Sequence, residues 1–133
     1  MSNVQTVQGI YAAFGKGDVP AILGTLAEDV EWEYGAVPNG VPWLEQRRGR
    51  AAVGGFFEAV GRELDISLFA PKTFLEGPNL VAVLVDVDAK AKRSGGKISE
   101  RDEVHLWHFD ASGKVVKFRH VVDTYAAVKA YAS

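Results

Sequence analysis

The sequence predicts an α+β domain, with helices in the first half and a four-strand antiparallel meander in the second. Three observations carry this. Before Leu64, apolar residues recur mainly at three- and four-residue steps. From Asp65 onward they alternate. Three turn sequences, Gly77-Pro78-Asn79, Ser94-Gly95-Gly96-Lys97 and Asp110-Ala111-Ser112-Gly113-Lys114, then cut the alternating half into strand-sized pieces.

Val4, Val7, Tyr11 and Phe14 define a first helix, which Gly15 and Gly17 end. Asp18 caps a second, running to Leu26, with Pro20 in its first turn. Val19, Ile22, Leu23 and Leu26 form its buried stripe. Val30 to Tyr34 alternates and reads as a short strand. Gly35 to Arg48 holds Pro38, Asn39-Gly40 and Pro42, so it is a loop, long enough to cover a site. A third helix spans Arg50 to Leu64, with Val53, Phe56, Phe57, Val60 and Leu64 on its apolar face. Its Gly54, Gly55 and Gly61 are either tolerated or allow close approach to a neighbour. The four meander strands are Asp65–Glu76, Leu80–Ala91, Glu103–Phe109 and Val115–Val122. Pro71 marks the first as an edge or bulged strand. Thr124 to Tyr131 is a short final helix. No linker or repeat interrupts the 133 residues, so they form a single domain.

Composition excludes several classes of function. The net charge of -2 offers no broad positive field for nucleic acid, and the Arg47/Arg48/Arg50 and Lys90/Lys92/Arg93 clusters read as solvated turns. The absence of cysteine removes disulfides, thiolate nucleophiles and thiolate-held metals. There is no signal peptide and no apolar run of membrane length, so a cytoplasmic protein that touches neither membrane nor nucleic acid is expected. Strands with apolar residues on both parities, as at Val81, Val83 and Leu84, predict a covered outer sheet face. A second copy of the chain is the simplest cover.

The chemistry gathers on the last two strands, which carry all three histidines, Trp107, Arg119 and Asp123. Asp123 sits where the last strand runs out. A carboxylate there either works as an acid or base beside an apolar pocket or caps the helix that starts at Thr124. In an unbroken strand Phe118, His120 and Val122 share one face and Asp123 the other, so a bulge is needed to turn Asp123 inward; otherwise His120 is the pocket's polar group. His105 and Trp107 share a face with Glu103 and Phe109. His105 and His120 can therefore line one cavity from adjacent strands, as proton carriers or as backbone-bonded core histidines. His105 and His108 have metal-like spacing but point to opposite faces, and no metal site is expected. Trp32, Trp43 and Trp107, with Tyr11 and Phe57, are candidate pocket walls for a flat, apolar ring compound. Trp43, in the Pro/Gly loop, is a candidate lid. No nucleophile elbow or phosphate loop is present.

Four stretches taken in order resemble the SnoaL-like, ketosteroid-isomerase-related branch of the nuclear transport factor 2-like superfamily. They are the two opening helices, Asp29-Val30-Glu31-Trp32, the segment Arg48 to Phe57, and the closing strands through Val122-Asp123-Thr124. The resemblance covers nearly the whole chain. It implies a cystatin-like fold: a cone-shaped, curved mixed sheet wrapped around three helices, with a deep apolar pocket and a common tendency to dimerise. It also implies that Asp123 stands where related cyclases hold an acid–base aspartate. Ketosteroid isomerase adds an oxyanion hole of tyrosine and protonated aspartate, for which no clear counterpart exists here beyond Tyr11 or Tyr34. The residue types of an Asp–Arg–Asp epoxide-hydrolase site occur without a convincing pattern.

The expected function is therefore that of a cofactor-free isomerase or cyclase acting on an apolar, carbonyl-bearing ring compound. Asp123, helped by His105 or His120, would shuttle the proton. Asp123→Asn would then lower turnover by about 10²-fold or more. The alternatives are a non-catalytic module that binds an apolar metabolite, and a dimeric interaction protein with a filled pocket.

Overall fold

The computed structural model describes residues 1–132. Six strands form one sheet: β1 (Leu26–Trp32), β2 (Arg47–Arg48), β3 (Leu64–Gly77), β4 (Leu80–Ala91), β5 (Lys97–Phe109) and β6 (Val115–Val121). Their order is β2-β1-β6-β5-β4-β3. Every pairing is antiparallel except β1 with β6, so the sheet is mixed, and it is curved and unclosed. Four helices accompany it: α1 (Asn3–Gly15), α2 (Val19–Leu23), α3 (Arg50–Glu63) and α4 (Thr124–Ala132). This is the predicted α+β architecture.

Local signals set the helix ends. Ser2 and Gln5 form a reciprocal capping box that starts α1. Asp18 accepts the Ala21 N–H and starts α2. The second helix is shorter than its apolar stripe predicts. Leu26 leaves it and opens β1, where the parallel register with Val115 of β6 begins. Sheet pairing thus takes over a residue that periodicity assigns to a helix. In α3, a side chain at Gly54 or Gly55 would meet its neighbours at 3.9 and 3.7 Å, and one at Gly61 would meet nothing within 4 Å. These glycines are tolerated rather than required by close packing. Pro71 lies on β3, the edge strand, at a register shift.

The core lies between the helices and the inner sheet face. Val81, Val83 and Val85 line that face and are fully buried. Trp32 stacks on Phe118 with ring centroids 4.1 Å apart. Antiparallel partners share a face, so Leu75, Leu84, Leu106 and Val121 lie on the outer side, where Leu75 and Val121 are 53% and 45% exposed. No helix among the described residues is long and apolar enough to cross a membrane.

Candidate functional site

A cavity of about 110 Å³ opens between the inner sheet face and the helices. Tyr11 and Phe14 reach it from α1 and Phe57 from α3; Trp32, Phe69 and Trp107 enter from the sheet. Trp43 lines it from a short 3-10 turn, Pro42–Leu44, and meets Tyr131 of α4 edge-on at 5.6 Å. All the wall residues expected from sequence therefore face one space.

The floor is polar. His105 of β5 and His120 of β6 are direct cross-strand partners. Such partners share a face, so both rings project inward, 4.7 Å apart and nearly perpendicular. His105 Nδ1 lies 2.6 Å from the Tyr11 hydroxyl, which accepts the Trp107 indole N–H at 3.1 Å. The Tyr11 proton is then free to go to His105 Nδ1, which leaves the His105 Nε2–H to donate to the carboxylate of Glu103. Burial holds His105 below the ordinary histidine range, against the opposing pull of Glu103. Burial likewise pushes the Tyr11 phenol well above its usual value. For Glu103, burial works upward, but the His105 hydrogen bond and the nearby His120 charge bring it below the usual carboxylate range.

His120 is the opposite case. Its Nδ1 contacts the carboxylate of Glu33, which also accepts the His120 backbone N–H at 3.1 Å. Burial works to lower His120, but the charge and hydrogen bond of Glu33, with the charge of Glu103, leave it above the ordinary value. The floor thus pairs a carboxylate that favours its anion with an imidazole that favours its cation. Environments that drive two groups apart in this way suit proton transfer.

Two backbone irregularities put Glu33 and Glu100 there. Glu33 follows β1 with φ 58°, in the left-handed region, and is only 2% exposed. Strict alternation would send it outward with Glu31. On β5, Val85 faces Glu103 while Val87 faces Glu100, so Arg101 and Asp102 bulge out and Asp102 takes φ 63°. The bulge brings Glu100 onto the inner face beside Glu103, which alternation already places there with His105, and burial raises Glu100. Sequence reasoning placed Glu103 beside His105 but missed Glu33 and Glu100, because a bulge and a left-handed residue reset parity.

Asp123 does not line the cavity. It is exposed, and its carboxylate accepts the Ala126 N–H at 3.0 Å, capping α4. Its own N–H donates to Glu100. No bulge turns it inward, so the capping alternative describes its place. Asp123→Ala is expected to cost about 1 kcal/mol in denaturant unfolding, and Asp123→Asn only a few tenths. Tyr34 and His108 also lie away from the floor, bonded to each other at 2.7 Å. His108 therefore leaves the metal-like pair, as strand parity requires. Among the described residues, Glu103, His105 and His120 instead bring one donor atom each within 4.8 Å of one another. Here those side chains are engaged with one another, with Tyr11 and with Glu33.

The curved mixed sheet and the helices thus enclose an apolar, aromatic cavity with a polar floor. The chain belongs to the SnoaL-like domain family, whose model matches residues 7–118. Its fold is that of nuclear transport factor 2-like proteins. One such protein from Burkholderia xenovorans is 29% identical, with 97% of this chain and 95% of that one covered and a TM-score of 0.84. Another from Burkholderia pseudomallei, of unknown function, is 29% identical over the full length of both, with a TM-score of 0.83. TerC, crystallised with polyporic acid, is 27% identical over 98% of each chain, with a TM-score of 0.79. No curated protein matches the chain in sequence.

Proposed function

We propose that this protein is an isomerase- or cyclase-type enzyme that moves a proton on an apolar, carbonyl-bearing ring compound without a cofactor. The observation that carries the reading is the polar floor: Glu103, His105 and His120 line a cavity whose other walls, Glu100 apart, are mainly aromatic and aliphatic, and Glu33 backs His120. The similarity to TerC, a protein crystallised with polyporic acid, supports a small organic ligand. Glu103 accepts a proton from the carbon next to the carbonyl. The C–H electrons form a C=C bond, and His120 donates a proton to the carbonyl oxygen. With a β,γ-unsaturated ketone the product is a dienol. Glu103 returns its proton to the γ carbon while His120 takes back the enol proton and the carbonyl re-forms, which completes an isomerisation. In a ring closure the enol carbon attacks a second carbonyl, whose oxygen takes the proton from Glu103 while His120 takes back the enol proton. Trp32, Trp43, Trp107, Tyr11 and Phe57 hold the ring flat and exclude water.

The test is deuterium exchange of 2-tetralone, an apolar ring ketone, followed by proton NMR in heavy water. Exchange next to the carbonyl well above the buffer rate is expected. Binding of 2-tetralone with exchange at the buffer rate would turn the reading to a non-catalytic binding module.

We also propose a homodimer through the outer sheet face. The strip of Leu75, Leu84, Leu106 and Val121 crosses the meander, and a two-fold axis through its middle brings the same side chains together. Light scattering after gel filtration is expected to give twice the chain mass for the wild type and the single mass for Leu106→Glu. A monomeric wild type at micromolar concentration would end this proposal.

A further inference from the structure

We propose that Glu33 is a positioning residue, which fixes the His120 ring with Nδ1–H on its carboxylate and Nε2 turned to the cavity. The inference deepens the proton-transfer reading and rests on it for its catalytic meaning, but its test does not.

The placement of Glu33 is costly in two ways. A non-glycine residue at φ 58° carries backbone strain. A carboxylate that is 2% exposed has lost its water, and among the described residues only His120 forms an ion pair with it. The nearby cations Arg48 and Lys117 pair with Glu31 on the outside instead. Purely structural demands at a strand end are met at lower cost by an amide or an apolar side chain. A carboxylate adds one thing to such a position, a negative charge aimed at the imidazole.

The contacts fit a holding role. One carboxylate oxygen of Glu33 takes both the backbone N–H and the Nδ1 of His120, so strand and ring are fixed together. The Glu33 N–H in turn donates to the Phe118 carbonyl at 2.7 Å, hooking the end of β1 around β6. With Nδ1 occupied, Nε2 is the ring nitrogen left for a ligand, and no protein group among the described residues bonds to it. The titratable groups that face His120 are Glu33, and Glu103 and His105 of β5; α3 presents the uncharged ring of Phe56. Burial alone would neutralise His120, and Glu33 is the larger of the two charges that oppose it. An oriented imidazole with a fixed tautomer is what a positioned acid or base needs.

The experiment is 15N-edited NMR of the imidazoles in the wild type, Glu33→Gln and Glu33→Asp, across pH. In the wild type His120 is expected to keep a protected Nδ1–H at neutral pH. In Glu33→Gln, which keeps a hydrogen-bond acceptor but not the charge, the pH at which His120 loses its proton is expected to fall by about one unit or more. Glu33→Asp is expected to recover part of that shift. An unchanged His120 titration in Glu33→Gln, even with lowered stability, would overturn the proposal. Should Glu33→Gln not fold, a wild-type His120 without a proton on Nδ1 at neutral pH would overturn it equally. A failed 2-tetralone assay leaves these spectra as they are, so the two readings fail separately.

Discussion

His120→Asn is expected to lower the rate of exchange next to a ring carbonyl by about 10²-fold or more, the usual scale for losing a positioned acid or base. The argument is geometric. His120 lines the cavity and lies directly across the strand pair from His105. It is held from behind by Glu33. Asparagine keeps polarity but carries no proton that titrates near neutrality. It also leaves Glu33 buried beside a neutral group, so unfolding should be measured in parallel. The sign of the pH effect follows from His120's place above the ordinary value of 6.5. Its contribution to stability is fully present below that value and is lost as pH rises through the folded-state value. The wild type should therefore lose part of its advantage over His120→Asn in alkaline solution. An equal difference between the two at pH 5 and pH 9 would contradict this.

Trp32→Ala is the largest expected loss of stability, about 3–5 kcal/mol in denaturant unfolding. The indole is 1% exposed, stacks on Phe118 and meets Phe56 and Trp107 at 5.3 and 5.8 Å. Its removal opens a void at the junction of β1, β6 and α3. Trp32→Phe should cost less than half as much. It keeps most of the ring contacts and removes an indole N–H that has no acceptor among the described residues. A loss below about 1 kcal/mol in Trp32→Ala would mean that the aromatic wall collapses freely around the gap, and that the cavity is not preformed.

Much of this was legible in the sequence because it depends on periodicity and turn chemistry. The helix start at Asp18, the edge strand marked by Pro71, and the four-strand meander after Leu64 follow from local rules. So does the placing of His105 and His120 on adjacent strands, since a tight turn joins the two; their direct cross-strand register is read from the structure. Interruptions of periodicity were harder to read. Glu33 turns inward through one left-handed residue, and Glu100 through a bulge at Arg101 and Asp102. Neither has a glycine or proline to announce it. Leu26 fits a helical stripe and a strand equally well, and only its pairing with Val115, far along the chain, decides between them. Asp123 shows the reverse problem. Its place at a strand end and before a helix supports two roles, and only the Ala126 hydrogen bond separates them.

The most direct test compares Asp123→Asn with His120→Asn in one deuterium-exchange assay on 2-tetralone. Proton transfer at the cavity floor predicts Asp123→Asn within about threefold of wild type and His120→Asn slowed by about 10²-fold or more. The reverse order, with Asp123→Asn slow and His120→Asn near wild type, would contradict the account and return the acid–base role to the end of the last strand.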